Sequence, residues 1–323
     1  MIQIRTDLAM EARELYQEKN NKEVEGVAVD RDELNNATIT RVEILDEHGV
    51  EIMGKEKGKY ITIECPSLRK ADADLKDEIS KLLAKEINQL INKKNLKALV
   101  VGLGNWNVTP DALGPKVVSK VFVTRHLFKM YNKDSDNDIN EISAISPGVM
   151  GTTGLETSEI IKGIVEKSKP DLVIAVDALA SRKMERVNTT IQISTSGISP
   201  GSGVGNNRKA LNESYLGVPV IAIGVPTVVD AATLTNDTIQ LVISSMTKES
   251  KPGTEFYNML GQLKEEEKYQ LMKEALDPYG ANLVVTPKEV DEIINNMAQI
   301  ISNSINIAIH PSIDLKDVNR YIN

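Results

Sequence analysis

The sequence has few of the residues on which disulfide, metal and nucleic-acid chemistry depend. Cys65 is the only cysteine among 323 residues, which excludes an internal disulfide or a cysteine-based metal cluster and fits a reducing cytoplasm. The histidines His48, His126 and His310 are isolated, without metal-ligand spacing. The net charge of −8 argues against direct binding of nucleic acid, because phosphate contacts need concentrated Lys and Arg. Neutral or basic protein substrates remain open.

Long apolar runs are also missing. No window approaches the roughly 20 apolar residues that span a bilayer. The first residues, Met1 to Ala9, lack the basic, apolar and small-residue regions that a signal peptide has in succession. We therefore expect a cytoplasmic protein without a membrane partner. Because 41% of its residues are hydrophobic and 26% are charged, most of the chain should fold.

Strand and helix patterns alternate along the chain. Continuous apolar runs typical of buried strands occur at 98–104, 172–177 and 220–225, and amphipathic helix patterns occur at 72–92, 158–167 and 288–309. Strands separated by helices imply crossover connections. The pattern predicts an α/β fold with a mostly parallel twisted central sheet and helices on both faces. Additional strands at 37–45 and 60–64 alternate apolar and polar residues, as half-buried antiparallel strands do.

The domain organisation is predicted to be simple. There is no internal repeat and no long Pro- or Gly-rich linker, so residues 1–323 are interpreted as a single α/β domain. Residues 247–282 are rich in Lys and Glu and contain no strong apolar strand. We interpret this stretch as an exposed helical insertion.

The first candidate site is the loop at 101–115, which follows a predicted buried strand. In parallel α/β sheets, ligands bind beyond the carboxyl ends of the strands. Gly102 and Gly104 permit a tight turn there, and Asp111 lies just before the next helix. The alternative is that Asp111 only favours the positive end of that helix dipole.

The second candidate is Asp177, the first charged residue after the apolar run at 172–176. We expect it at the carboxyl end of its strand, where Asp177 and Asp111 can converge. A carboxylate pair that holds one proton can activate water and protonate a leaving amine. The alternative for Asp177 is a structural cap on a helix that begins near Ala178.

A third loop, at 199–207, is rich in glycine and could cradle an anion or serve as a connector or oligomer contact. Neither glycine loop is a nucleotide fingerprint. The segment at 102–107 lacks the third glycine of G-x-G-x-x-G, and no loop is followed by Gly-Lys-Ser/Thr. The G-x-S-x-G elbow of serine hydrolases is also missing.

Several long blocks of the sequence closely resemble the germination protease family, the spore endopeptidases. The blocks lie at 104–115, 147–157, 176–186, 197–206 and 224–231, and the resemblance runs over essentially the whole chain. It implies an atypical aspartic-type protease with an α/β fold similar to hydrogenase maturation peptidases and without a cofactor. The implied catalytic pair is Asp111 and Asp177, with no metal site.

The resemblance also implies a biological setting. Family members assemble as homotetramers and cleave small acid-soluble spore proteins in the spore core during germination, beside an acidic residue and before an apolar one. They are made as zymogens whose N-terminal propeptide is removed. This chain starts almost at the Arg5–Ala9 block, near the mature start of the family. Whether propeptide removal controls this member is left open by the sequence.

Three residues are predicted substrate contacts. Arg182 and Arg186 follow Asp177 by about one and two helical turns and could receive the acidic side chain of the substrate. A solvated basic helix face is the alternative. Asn105, in the loop of Asp111, is the third.

Two other functions remain open on the sequence. One is a metal-dependent maturation peptidase that acts on a single partner protein. The other is a non-catalytic oligomeric protein that binds spore proteins. Sensitivity of the activity to a chelator distinguishes the first, and stable complexes without fragments distinguish the second.

Overall fold

The structure is a computed structural model that describes residues 6–91, 93, 95–131, 139–199, 209–249, 254, 274 and 283–321. Its strands are β1 Val27–Glu33, β2 Thr38–Ile44, β3 Gly58–Glu64, β4 Lys97–Gly102, β5 Glu141–Ile145, β6 Leu172–Ser181, β7 Thr190–Ser194, β8 Val220–Asp230 and β9 Val284–Val285. The α/β class predicted from the alternating patterns is confirmed.

The helices lie between these strands and after them. They are α1 Ala9–Asn20, α2 Glu47–Met53, α3 Ala73–Leu90, α4 Leu113–Val118, α5 Arg125–Tyr131, α6 Met150–Thr153, α7 Thr157–Ser168, α8 Glu213–Leu216, α9 Ala231–Glu249, α10 Val290–Ile309 and α11 Leu315–Tyr321. Short 3₁₀ turns occur at Pro66–Lys70, Thr109–Asp111 and Met184–Arg186.

In the described part of the chain the strands form one mixed sheet of nine strands. The order is β1-β2-β3-β7-β8-β6-β4-β5, with β9 paired to β8. The pairings β4–β5, β4–β6 and β6–β8 are parallel, and the other five are antiparallel. The expected mostly parallel sheet is therefore wrong. Apolar periodicity identifies strands but not their partners, and a short connection such as the turn at 34–37 forces β1 and β2 to run antiparallel.

Helices cover both faces of the parallel part of the sheet, as predicted. On β4, Ala98 and Val100 face the cluster built by α3, α4 and α10, whereas Leu99 and Val101 face α7. This alternation follows from the period of two along a strand. Each buried aliphatic side chain of this kind stabilises the fold by about 1.5–3 kcal/mol.

Helix α3 shows how the sequence sets an element boundary. The Asp72 side chain accepts a hydrogen bond from the Leu75 amide at 2.9 Å and caps the first turn. Ile79, Leu83 and Ile87 recur at intervals of four and are fully buried against α10. The helix predicted at 72–92 is confirmed, as is the one at 288–309.

Two predictions are not resolved by the structure. The helical insertion at 247–282 lies outside the described residues, apart from 247–249 at the end of α9 and the isolated positions 254 and 274. The similarity to hydrogenase maturation peptidases stays a prediction. Among the described helices, none combines the length and the apolarity that crossing a membrane requires.

Candidate active site

The loop after β4 carries Asp111 and is closed by its own hydrogen bonds. The Asn105 amide donates to Asp111 Oδ2 at 2.7 Å, and the Asp111 amide donates to the Val108 carbonyl at 2.8 Å. Asp111 itself is half-buried. One of its carboxylate oxygens therefore fixes the shape of the loop in which it lies.

Gly104 lets the chain turn back onto Asp111. Its φ angle is +109°, a conformation that residues with a Cβ atom rarely adopt. A Cβ atom at this position would lie 2.0 Å from the Asp111 carbonyl oxygen. The role predicted for Gly104 in a tight turn is confirmed.

Asp177 lies on β6 and is 4% exposed. It pairs in register with Gly224 of β8, and its Oδ1 accepts a hydrogen bond from the Ala178 amide at 2.9 Å. The expectation that Asp177 ends its strand is wrong, because β6 continues to Ser181. No helix begins at Ala178, so the helix-cap alternative is wrong too. Pairing with β8 overrides the local helical preference of the sequence after Asp177.

The loop of Asp111 meets β6 at a step in the sheet, which is the place where β4 ends and β6 continues. Strand β4 ends at Gly102, which pairs with Val176, whereas β6 extends past it. The Leu103 amide then donates to the Val176 carbonyl at 2.8 Å. The loop of Asp111 is thus fastened to β6 at the residue immediately before Asp177.

A cavity of about 350 Å³ lies on one face of the sheet and is lined by residues next to Asp177, although not by Asp177 itself. Leu179 lines it and lies on the same face of β6 as Asp177, because side chains alternate along a strand. Gly224, the register partner of Asp177, also lines it. The cavity has about the volume of one or two amino-acid side chains and reaches the register partner of Asp177.

The polar wall of this cavity was not predicted from the sequence. The Tyr60 hydroxyl donates to the Glu56 carbonyl at 2.6 Å and accepts from Ser196 Oγ at 2.8 Å, while Ser196 and Ser194 share a further hydrogen bond. Burial raises the pKa of Tyr60. These residues come from β3, β7 and the segment after β7, and no local motif links them.

Lys55 is a second residue that sequence reasoning missed. It lines the cavity, and its Nζ donates to the Thr6 carbonyl at 3.1 Å. Burial lowers the pKa of Lys55, although the negative charges of Asp7 and Glu11 oppose this shift. The lysine lies after α2, in a stretch with no motif, so only the fold reveals its position.

Arg186 is held by carboxylates of the chain itself. It is 8% exposed and forms ion pairs with Glu11 at 3.2 Å, Glu14 at 2.5 Å and Glu64 at 2.9 Å. These pairs tie α1 and β3 to the 3₁₀ turn after β6. To bind a substrate carboxylate, Arg186 would have to break these ion pairs. Breaking them would cost free energy, because the charge of Arg186 is buried.

Arg182 and Asn105 are held less firmly. Arg182 Nη1 lies 3.4 Å from Glu18; the Arg182 side chain is 16% exposed and that of Glu18 is 54% exposed. Ion pairs that solvent reaches in this way contribute about 0–1 kcal/mol. The Asn105 side chain accepts a hydrogen bond from the Asn107 amide at 3.0 Å and so closes an Asx turn. The prediction that Arg182 and Arg186 follow Asp177 by one and two helical turns is wrong, because β6 stays extended up to Ser181.

The remaining candidates are the cysteine, the three histidines and the glycine-rich loop. Cys65 is buried, and burial raises the pKa of its thiol. His310 is 1% exposed, accepts a hydrogen bond from the Asn140 amide at 3.2 Å and has a pKa lowered to about 4 by burial. His48 and His126 are exposed. The glycine-rich loop lies outside the described residues except for position 199.

No group of three or more His, Cys, Asp or Glu side chains is placed to hold a metal ion within the ranges that the structure describes. Where β4 ends and β6 continues, the candidate catalytic groups are the carboxylates of Asp177 and Asp111. One is buried in the sheet, and the other is half-buried in a loop fastened beside it.

Comparison with known proteins identifies the class first. The chain is a peptidase, since it matches a family model of proteases over residues 5–256 and 249–322. That model describes the germination proteases, and the chain belongs to this family. The resemblance of the sequence blocks to germination proteases is confirmed.

Relatives match over their full length. A germination protease of Clostridium perfringens is 51% identical over 325 residues, covering 100% of both chains. One from Clostridium tetani is 52% identical over 321 residues, covering 99% of both. A germination protease of Bacillus mycoides is 46% identical over 355 residues, covering 98% of this chain and 96% of the relative.

The Gly104→Ala variant tests the turn that positions Asp111. Its Cβ would collide with the Asp111 carbonyl and would force a positive φ, so we expect about 1–3 kcal/mol of destabilisation and a strong loss of proteolysis. Urea unfolding and a protease assay measure both. Gly163→Ala on α7 is the matched control, because a Cβ there meets nothing within 4 Å. Equal behaviour of the two variants would contradict the proposed role of the turn.

The Glu14→Gln variant tests the clamp on Arg186 through pH. Burial would raise the pKa of Glu14, but hydrogen bonds from Arg186 and Lys183 outweigh it and lower the pKa from 4.5 to about 2. A lowered folded-state pKa stabilises the fold above pH 4.5 and loses its effect as pH falls toward 2.

We therefore expect Glu14→Gln to lose roughly 2–3 kcal/mol of unfolding free energy at pH 7. The difference from the parent chain should narrow below pH 4.5. Urea unfolding at a series of pH values measures it, with Glu25→Gln on an exposed side chain as the control. A difference that stays constant from pH 7 to pH 3 would rule out the clamp as the source.

Proposed function

We propose that the chain is an endopeptidase that cleaves small acid-soluble spore proteins during spore germination, by aspartate-assisted attack of water on the peptide bond. Membership of the germination protease family supports the setting. The observation that carries the mechanism is the hydrogen bond from Leu103 to Val176, since it fastens the Asp111 loop beside Asp177.

In this mechanism one carboxylate takes a proton from water as the oxygen attacks the peptide carbonyl. The other, in its acid form, donates a proton to the leaving amine nitrogen as the C–N bond breaks. Asp177 is buried, and a buried carboxylate interacts strongly with a neighbouring one. The base and acid roles belong to the pair, because coupled carboxylates titrate together.

The resemblance implies a protein substrate and a homotetramer. Both stay proposals, and one feature of the structure supports each. The cavity beside Asp177 provides room for a substrate side chain. Helix α9 has no buried residue among those described and exposes Leu241, Val242 and Met246, so a second copy in a homotetramer would cover an apolar face. Sedimentation of the purified chain as a monomer would contradict the tetramer. Propeptide control and location in the spore core stay predictions.

Digestion of a purified small acid-soluble spore protein tests the function. We expect discrete fragments by mass spectrometry that persist in EDTA. The Asp111→Asn and Asp177→Asn variants should lose at least about 100-fold in rate, as general acid–base groups contribute that much or more. Asp74→Asn, an exposed residue in the first turn of α3, is a control outside the pair.

Each other outcome favours a different function. Cleavage abolished by EDTA and restored by a divalent ion would favour the metal-dependent maturation peptidase. A stable complex without fragments would favour a binding protein. Full activity of either Asp→Asn variant would exclude the aspartate pair.

Arg182 is the arginine that we propose for recognition of an acidic substrate side chain. Its ion pair with Glu18 is long and reaches an exposed partner, so a substrate carboxylate can replace Glu18. We expect Arg182→Gln to reduce cleavage beside acidic residues about tenfold relative to neutral ones, since hydrogen bonds to charged groups contribute about 1.5–3 kcal/mol. Mapped cleavage sites measure the preference, with Arg31→Gln on β1 as the control. An unchanged preference would remove Arg182 from the site.

A further inference from the structure

Trp106 is the only tryptophan of the chain, and it lies in the loop that carries Asp111. It is 56% exposed, and Val108 in the same loop is 48% exposed. Tryptophan offers a large apolar surface with a polar N–H group and is enriched where proteins bind partners. An exposed tryptophan beside a candidate catalytic residue is therefore a candidate substrate contact.

The loop holds Trp106 in place without burying it. The Val108 amide donates to the Asn105 carbonyl at 3.1 Å, which makes Trp106 and Asn107 the two central residues of a β-turn. The Asn105 amide is in turn held by the Asp111 carboxylate at 2.7 Å. Since the turn closes through backbone groups and Asp111, the indole ring is free of any role in closing it.

A neighbouring loop presents apolar side chains at the same edge of the sheet. Strands β4 and β5 are parallel and Val101 pairs with Ile145, so the loops that follow them start side by side. The segment after β5, which includes α6, exposes Met150 by 43% and Leu155 by 55%. Both lie in the block at 147–157 that resembles the protease family. The proposed aspartate mechanism assigns no role to this block.

Single exposed apolar residues are common and need no explanation. Here Trp106 and Val108 lie in the loop that begins where β4 ends, and Met150 and Leu155 lie in the segment that follows the neighbouring strand β5. Because these exposed residues continue the candidate site, we expect the molecule that binds in the site to cover them as well. That molecule, under the proposed function, is an extended peptide.

We propose that Trp106 is a specificity-determining residue that binds an apolar side chain of the peptide substrate next to the bond that is cut, with Met150 and Leu155 extending the surface. This rests on the proposed endopeptidase function. Trp106 contributes binding energy and takes no part in proton transfer, so its loss should weaken substrate binding with little effect on the chemical step.

Steady-state kinetics on a small acid-soluble spore protein test this. We expect Trp106→Ala to raise KM at least about tenfold with kcat nearly unchanged, and Trp106→Phe to stay within about threefold of the parent chain. Leu34→Ala, an apolar truncation at a 46% exposed position in the β1–β2 turn, is the control and should change neither value. Thermal unfolding of all three variants should match the parent chain, because the truncated side chains are exposed.

Fluorescence provides a direct readout, since all tryptophan emission of the chain comes from Trp106. In the Asp177→Asn variant, a spore protein that lacks tryptophan should bind without being cut. We expect its addition to shift the emission to the blue and to reduce quenching by acrylamide. An unchanged KM in Trp106→Ala, or emission and quenching that do not respond to saturating substrate, would overturn the proposal.

The two proposals fail in different ways. If Asp177→Asn still cuts the spore protein, the aspartate mechanism fails, whereas the KM of Trp106→Ala still tests the contact. If the aspartate variants are inactive but Trp106→Ala has the KM of the parent chain, only the contact fails. If kcat falls and KM does not change, Trp106 acts on the chemical step and the binding role is wrong.

Discussion

The arrangement of the candidate site depends on the close approach of the first turn of α4 to the end of β4 and to the middle of β6 at Val176. A Cβ atom on Gly114 would lie 2.3 Å from the Leu103 carbonyl oxygen and 2.6 Å from that of Val176. Only glycine allows this contact, and it brings the Asp111 loop down onto β6 beside Asp177. The mixed sheet provides the step into which the loop fits, because β4 ends where β6 and β8 continue.

A second constraint holds the other side of the site. Arg186 brings Glu11, Glu14 and Glu64 together, and the N-terminal segment is tied to the end of β6 by the Asp7 amide, which donates to the Ala180 carbonyl at 3.0 Å. A buried arginine with three carboxylates costs desolvation but fixes one geometry for α1. The wall of the cavity near Asp177 is therefore built from segments far apart in the sequence.

Local pattern predicted the parts of the fold and site that local sequence determines. The capped helix α3, the long helix α10 and the glycine turn before Asp111 are of this kind. The continuation of β6 past Asp177 was not predictable, since it depends on pairing with β8. Likewise, the mixed strand directions of the sheet and the ion pairs between Arg186 and α1 depend on contacts between distant segments. The periodicity of apolar residues does not predict such contacts.

The same distinction explains which residues escaped the sequence. Lys55 and Tyr60 carry no motif and become notable only when the fold places them on the cavity wall. Trp106 and the block at 147–157 were visible in the sequence, but their exposure was not. The two aspartates were easier to select as candidates than their surroundings were to predict, because an aspartate after an apolar run is a local signal.

The central claim is that Asp111 and Asp177 act as one unit, and a double-mutant cycle on kcat tests it most directly. The cycle compares the parent chain, Asp111→Asn, Asp177→Asn and the double variant on one spore protein. If the carboxylates share a single step, the double variant should be about as slow as the slower single variant, because groups that act together are strongly non-additive. Losses that multiply in the double variant would contradict the account and would assign the two aspartates independent roles.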